Sequence, residues 1–218
     1  MLSHGKDFEQ EFVQSTYEQI AKHFSDTRYK PWPKVESFLS SLSPFSLVLD
    51  IGCGNGKYLH SNPLLRVGTD FTQNLLEICS SRKFSVFRAN CLSLPIKDCS
   101  FDAAISIAVL HHLSTVERRV QALQEMLRVL RIDGLGLIYV WAKEQNERAF
   151  EEQDVFVPWK SAKQGGEVFQ RYYHVFVEGE LQGLVNMVEL DGFEFKVEEA
   201  YYDKSNWCVI LRKVQKQI

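Results

Sequence analysis

The 218-residue sequence contains no C-x-x-C pair: its five cysteines, Cys53, Cys79, Cys91, Cys99 and Cys208, are odd in number and scattered. A zinc or redox site draws on paired spacing, so no metal ligands are assigned and free thiols in a reducing compartment fit best. A long apolar run is also missing. The amino terminus, MLSHGKDFEQEF, brings acids early. We therefore expect neither a secretory signal nor a membrane span, no membrane partner, and a cytoplasmic location with the nucleus as a second. Nor is there an excess of positive charge, since 25 Lys and Arg against 28 Asp and Glu give a formal charge of −3. No global field draws such a chain onto a polyanion, so any RNA binding has to come from a local patch or a partner. Repeats and low-complexity runs are absent, which excludes a solenoid. The length is that of one α/β domain, residues 1–218, with enough apolar content for one continuous core.

Phe12, Val13, Tyr17, Ile20, Ala21 and Phe24 recur at three- and four-residue spacing, which predicts an amphipathic helix ending before Arg28. Pro31 and Pro33 bracket Trp32 in a stiff, non-helical turn, and a short helix over Lys34 to Leu42 completes an N-terminal lid over residues 1–43. From Leu47 apolar strands alternate with helical patterns: LVLDI, a helix at Tyr58 to Ser61, RVGTD, a helix at Asn74 to Arg82, FSVFR, FDAAISIAV, a helix at Val116 to Leu130, and GLIYVWA. That alternation predicts an α/β fold, a doubly wound and mostly parallel seven-stranded sheet. Residues 143–178 read as an insertion near the substrate edge, polar through Gly166 and then aromatic in VFQRYYHVF. A helix over Glu180 to Leu190 and the segments FEFKVEEAYY and NWCVILRKV, joined at DKS, predict a terminal antiparallel hairpin on the sheet.

The most informative segment is LVLDIGCGNGKY, a strand ending at Asp50 followed by Gly52, Gly54 and Gly56, where glycine lets the backbone turn and approach a ligand. A dinucleotide fingerprint would place glycine where Lys57 stands, and the glycines here are evenly spaced instead. Asp70 ends the next strand, where doubly wound folds set an acid on ribose hydroxyls. The even spacing and the acid before it resemble the first motif of class I S-adenosyl-L-methionine-dependent methyltransferases. The resemblance implies Asp50, Gly52, Gly54, Gly56, Asp70, Asn90, Cys91 and Ser106 as the cofactor set. It calls for an acid at Asn90 to accept from the adenine amino group; asparagine keeps the acceptor and loses the charge, which weakens affinity by about 1 to 2 kcal/mol, with the backbone at Cys91 and Leu92 supplying the rest. FDAAISIAVLHH, opening on Asp102, is similar to the family's fourth motif, whose exit over Ser106 to His112 faces the methyl donor.

Outside that half, YEQIAKHFSDTRYKPWP, SIAVLHHLSTVERRVQALQEMLRVL, QDVFVPW, RYYHVF and YYDKSNWCVIL resemble the tRNA carboxymethyluridine methyltransferase family, over a stretch from near Glu11 to Lys213. The resemblance, to the free-standing form, implies methyl esterification of 5-carboxymethyluridine at the tRNA wobble position and contact with the anticodon loop. It also implies a heterodimer with a small zinc-binding methyltransferase activator subunit. In the strand order 3-2-1-4-5-7-6 the edge strand is Phe84 to Arg88, a docking edge for that partner unless a helix or loop covers it. Other readings are a methyltransferase for another RNA or carboxylate, or a non-catalytic S-adenosylmethionine-binding regulator.

A carboxylate acceptor is ionised at neutral pH, so cationic or donating residues need only position it. Arg28, in the stiff segment, leads as a planar fork. One of His111 and His112 donates to substrate while the other caps the next helix. In RYYHVF, Tyr172 and His174 share one side, Arg171 and Tyr173 the other, and one side faces substrate. Asn206 and Trp207, in the terminal turn beside Asp203, either approach the pocket or perform ordinary turn chemistry. Tyr29 and Trp32 either stack on anticodon bases, or Trp32 anchors the lid.

Overall fold

In the computed structural model, residues 4–60, 63–145, 148–160, 166 and 168–216 are described. Three features open the chain: helix α1 (Lys6–Glu9), a π-helical stretch (Gln10–Ser15) and helix α2 (Thr16–Thr27). Helix α3 (Pro33–Ser41) follows, with proline at the position where a missing N–H costs nothing. Next come β1 (Leu47–Ile51), β2 (Leu65–Asp70), α4 (Gln73–Ser81), β3 (Val86–Arg88), β4 (Phe101–Ile107), α5 (Val116–Val129) and β5 (Leu130–Trp141). The chain closes with β6 (Asp154–Lys160), β7 (Val168–His174), α6 (Glu180–Asn186), β8 (Phe193–Asp203) and β9 (Asn206–Gln215).

Seven strands form one sheet in the order β3-β2-β1-β4-β5-β9-β8. This is the expected 3-2-1-4-5-7-6 when the sheet's own strands are counted, with β9 antiparallel to both of its neighbours, β5 and β8. Strand alternation sorts the core into two layers. Leu49, Ile51, Ala104, Ile138 and Val140 pack against α5 and α6, whereas Val48, Ala103, Ile105, Leu137 and Tyr139 pack against Val35, Phe38 and Leu39 of α3. Asp102 lies at the strand end opposite the glycine loop, where it accepts from the Leu47 N–H at 2.8 Å and pins the start of β1.

Three expectations need correction. No helix forms at Tyr58: turns run from Gly54 to Tyr58, and Ser61 lies outside the described residues. Gly52, Gly54 and Gly56 take φ of +76°, +54° and +78°, and that left-handed alternation cannot enter a right-handed helix. Helix α6 stops at Asn186 rather than Leu190. The insertion is more ordered than its polar composition suggests, because β6 and β7 pair antiparallel from Asp154↔His174 to Lys160↔Val168, although most of their connection is outside the described residues. This hairpin is separate from the main sheet and packs on the N-terminal helical segment through Phe8, Phe12, Phe156 and Tyr172.

Candidate active site

A cavity of about 270 Å³ lies at the carboxyl ends of β1, β2 and β4, covered by α2 and by one face of β7. Of the expected cofactor set, Asp50, Gly52, Gly54, Asp70, Asn90 and Cys91 line it. Gly56 and Ser106 do not: a Cβ at Gly56 would meet the Phe84 ring at 2.7 Å, so that glycine serves packing, and Ser106 is buried within β4. Gly52 has a different reason to be glycine, since any Cβ there would collide with Val109 on the cavity wall.

The loop is built on hydrogen bonds to β2. The N–H groups of Gly52 and Cys53 both donate to the Thr69 carbonyl, at 2.7 and 2.9 Å. Asp70 accepts from Gly54 N at 2.9 Å and from Thr72 N at 2.8 Å, and burial still raises its pKa against those two bonds. Asp50 is 3 % exposed, and its Oδ2 has no hydrogen-bond partner among the described residues. Burial, helped by the charge of Asp70, pushes its pKa up to about 7. Asn90 turns its Oδ1 to the Leu92 N–H at 3.0 Å, so any further donor shares that oxygen. The lid is tied to the same loop, because Asn55 Nδ2 donates to the Arg28 carbonyl at 3.2 Å while Arg82 Nη1 donates to the Asn55 carbonyl at 2.7 Å.

On the opposite wall stand Arg28, His111, His112 and Arg171. The chain leaves β4 through Ala108, in the left-handed region at φ +64°, and enters a 3-10 turn at Leu110–His112 that presents both histidines. Burial depresses both rings, His111 well below its ordinary pKa and His112 to about 3, so both are neutral at pH 7. Neutrality fixes the tautomers. His111 Nδ1 accepts from the Trp141 N–H at 3.1 Å, which leaves its proton on Nε2. His112 donates from Nδ1 to the Tyr172 carbonyl at 2.9 Å, so its Nε2 accepts from the Tyr17 hydroxyl at 3.1 Å. Tyr173 lies 3.2 Å from Tyr17, hydroxyl to hydroxyl, and Arg171 Nη1 donates to the Tyr173 hydroxyl at 2.7 Å. The result is one directed chain from Arg171 through Tyr173 and Tyr17 to His112. It uses both ring nitrogens of His112 and leaves the Nε2–H of His111 as the histidine donor on this wall.

Arg171 is 6 % exposed, its Nε has no partner, and it forms no salt bridge among the described residues. Arg28 is exposed, with its guanidinium 5.3 Å from the Trp159 ring centre. Tyr172 and His174 stand on the other face of β7 and do not line the cavity: Tyr172 packs on Phe8, and His174 lies between Asp154 Oδ1 at 2.8 Å and Glu180 Oε1 at 2.6 Å. Asn206 and Trp207 are not on the wall either. Asn206 Nδ2 donates to the Lys204 carbonyl in the hairpin turn at 2.7 Å, and the Trp207 indole donates to Glu144 at 3.0 Å. Trp32 lines the cavity and also anchors the lid, with its ring 5.4 Å from Tyr139 and its backbone N–H donating to the Tyr58 hydroxyl, while Tyr29 is 61 % exposed. Sequence reasoning missed Tyr17, which it counted only as helix core, and Trp159. Helical period alone cannot separate a core face from a cavity face.

A second, more open cleft of about 490 Å³ adjoins the first and shares Arg28, Trp141 and Arg171 with it. Trp159 supports this junction, since Arg171 lies 4.7 Å from its ring centre and its indole N–H donates to His23 Nδ1 at 3.0 Å.

A seven-stranded sheet reversing direction only at its final hairpin, with a glycine loop and two carboxylates at the carboxyl edge, defines the class I methyltransferase architecture. The family described as Methyltransferase domain matches residues 49–138. A tRNA (carboxymethyluridine(34)-5-O)-methyltransferase of Schizosaccharomyces pombe is 44 % identical, over 95 % of this chain and 98 % of that one. The chain belongs to the tRNA (carboxymethyluridine(34)-5-O)-methyltransferase family. A Xenopus tropicalis member is 40 % identical over 94 % of this chain but only 41 % of its own length, and the chain spans less than half of several such longer curated relatives. Among solved structures, a Haloferax volcanii methyltransferase in complex with the Trm112 methyltransferase activator shares the fold, with a TM-score of 0.63 and 14 % identity over 98 % of this chain and all of that one.

Proposed function

We propose that this protein esterifies the carboxylate of 5-carboxymethyluridine at the wobble position of tRNA, giving 5-methoxycarbonylmethyluridine. The observation that carries the reading is Arg171, a buried guanidinium on the cavity wall with no carboxylate partner among the described residues. A buried cation is costly unless an anion meets it, and the planar fork suits a carboxylate.

The cofactor is S-adenosyl-L-methionine, and the residues present fit it. Asp50 offers a buried Oδ2 acceptor without a partner among the described residues, and the cradle at Gly52 is one that a Cβ would fill. Asp70 would hold ribose hydroxyls, Asn90 and Cys91 the adenine edge, and Gly52 and Gly54 the methionine end. Bound there, the sulfonium supplies an electrophilic methyl group.

The chain's own task is to hold the acceptor. A carboxylate with a pKa near 4 needs no general base at neutral pH, and neither neutral histidine has to serve as one. Arg171 and the His111 Nε2–H bind and orient the acceptor oxygens. The stacked pair Trp141 and Tyr173, with ring centres 4.5 Å apart, walls the site off from water. Arg171 divides its donors between Tyr173 and substrate, which moderates a grip that would otherwise stabilise the ground state. A small zinc-binding activator subunit completes the enzyme as a heterodimer, docking on β3.

The decisive assay incubates the chain, with and without that activator, with methyl-labelled S-adenosylmethionine and tRNA bearing 5-carboxymethyluridine. Base-labile label in the tRNA is expected, and its absence from both arms rules the reading out.

A further inference from the structure

We infer that the second cleft is an RNA-phosphate site, holding the phosphodiester next to the nucleotide whose modified base enters the methyl-transfer cavity. This rests on the RNA-modifying reading above and adds a subsite to it.

The protein's formal charge is −3, yet the cleft is walled by Arg28, Arg148, Lys160, Arg171 and His23 with no Asp or Glu among its described lining residues. None of those arginines, nor Lys160, enters a salt bridge among the described residues. Like charges gathered on a concave surface repel one another, and the arrangement becomes favourable when an anion sits among them. A single carboxylate cannot satisfy both hollows. A nucleotide can, because its phosphate lies several ångströms from the substituent on its base, and the two hollows meet at Arg28, Trp141 and Arg171.

The cations are also held in place. The buried Trp159 ring carries Arg171 at 4.7 Å and Arg28 at 5.3 Å, and Arg148 lies 5.8 Å from the Phe150 ring, so the guanidiniums rest on aromatic faces while keeping their N–H edges available. The indole N–H of Trp159 donates to His23 Nδ1, which leaves Nε2 of His23 to donate to an anion. Contacts of this kind fix the register of an RNA backbone without reading sequence. The cleft thus binds modified and unmodified anticodon loops alike, and selection for the carboxymethyl group belongs to the inner cavity.

The test is fluorescence anisotropy of the full chain with an anticodon stem-loop RNA bearing 5-carboxymethyluridine, across a salt series, for the wild type, R148A/K160A and, as a distant surface control, K196A. Arg148 and Lys160 are exposed, so truncating them leaves the fold intact. The double variant should bind about tenfold more weakly at low salt and flatten the log–log salt slope by about 0.7, the value for one phosphate contact on a single strand. K196A should change neither. Failure of the wild type to bind the RNA, an unchanged slope in the double variant, or an equal flattening in K196A overturns the proposal. Methyl transfer to the same RNA is scored separately, with and without the activator: cleft-dependent binding without transfer in either arm sinks the esterification reading alone, and transfer with an unaltered slope sinks the cleft alone.

Discussion

Asp50 carries an unusual burden for one side chain, buried with an unmatched oxygen and a pKa pushed up to about 7 by burial and by Asp70. The ionised form is the one that attracts a cationic ligand. Below pH 7 the ligand-free protein holds a proton there that binding must displace; above it the carboxylate is already charged. Affinity for S-adenosylmethionine is therefore expected to rise about tenfold from pH 6 to pH 8 and then level off, as linkage to one proton requires. Isothermal titration across that range checks it, with Asp50→Asn expected to bind more weakly and without the pH slope; a flat wild-type profile would remove Asp50 from the cofactor site. The place of Asp50, Gly52 and Gly54 on the cavity wall was legible because a sharp backbone turn beside a strand end restricts which residues can stand there, whereas Gly56 turned out to serve packing. Arg171 was legible as a type of residue but not in its rank. Arg28 led because it sits in a stiff segment, whereas the property that distinguishes Arg171, burial without a counter-ion among the described residues, exists only after folding.

Periodicity carried most of the elements: the strands of the main sheet and helices α2 to α5 follow from alternation and from three- and four-residue spacing. It failed where local geometry or two-sided polarity hides the pattern. The glycine loop has φ values that no helix accepts, and the β6–β7 hairpin carries Arg171 and His174 at buried positions that are ordinarily apolar. The two faces of β7 divide the work. Arg171 and Tyr173 look into the cavity, while His174 on the reverse face binds β6 through Asp154 and α6 through Glu180. Burial works against the ionised form of both carboxylates, yet hydrogen bonds from this cluster hold each below its ordinary pKa. Removing the imidazole leaves Glu180 half-buried and short of a partner. His174→Ala is expected to cost about 2 kcal/mol of stability and to slow methyl transfer more than it weakens cofactor binding, since the strand bearing Arg171 loosens while the glycine loop is untouched. Urea melts alongside cofactor titration and single-turnover transfer test this; equal losses in binding and transfer would show that the clamp supports the whole molecule rather than the Arg171 wall.

At the scale of the assembly, the sheet ends at β3 with an open edge among the described residues. Three residues make that edge short, as exposed edges in lone proteins tend to be, yet its backbone is correctly presented for another strand. Gly68 N donates to the Ser85 carbonyl and Ala89 N to the Asp70 carbonyl, so residues 85, 87 and 89 bond inward to β2, and the N–H groups of Val86 and Arg88 point away from the sheet. The proposed activator would add its own strand there. Arg88→Pro removes one outward N–H, keeps the inward ladder, and sits at a sheet edge, where proline is tolerated. The variant chain alone should melt within about 2 to 4 °C of wild type, the shift that ~1 kcal/mol produces at this size. Its affinity for the activator should fall at least about tenfold, because the lost N–H would leave a strand carbonyl of the partner buried without a donor. Size-exclusion chromatography of the mixed proteins, followed by titration, reads both. Undiminished complex formation by Arg88→Pro would move the partner off β3 and onto another surface, whatever the fate of the methyl-transfer site itself.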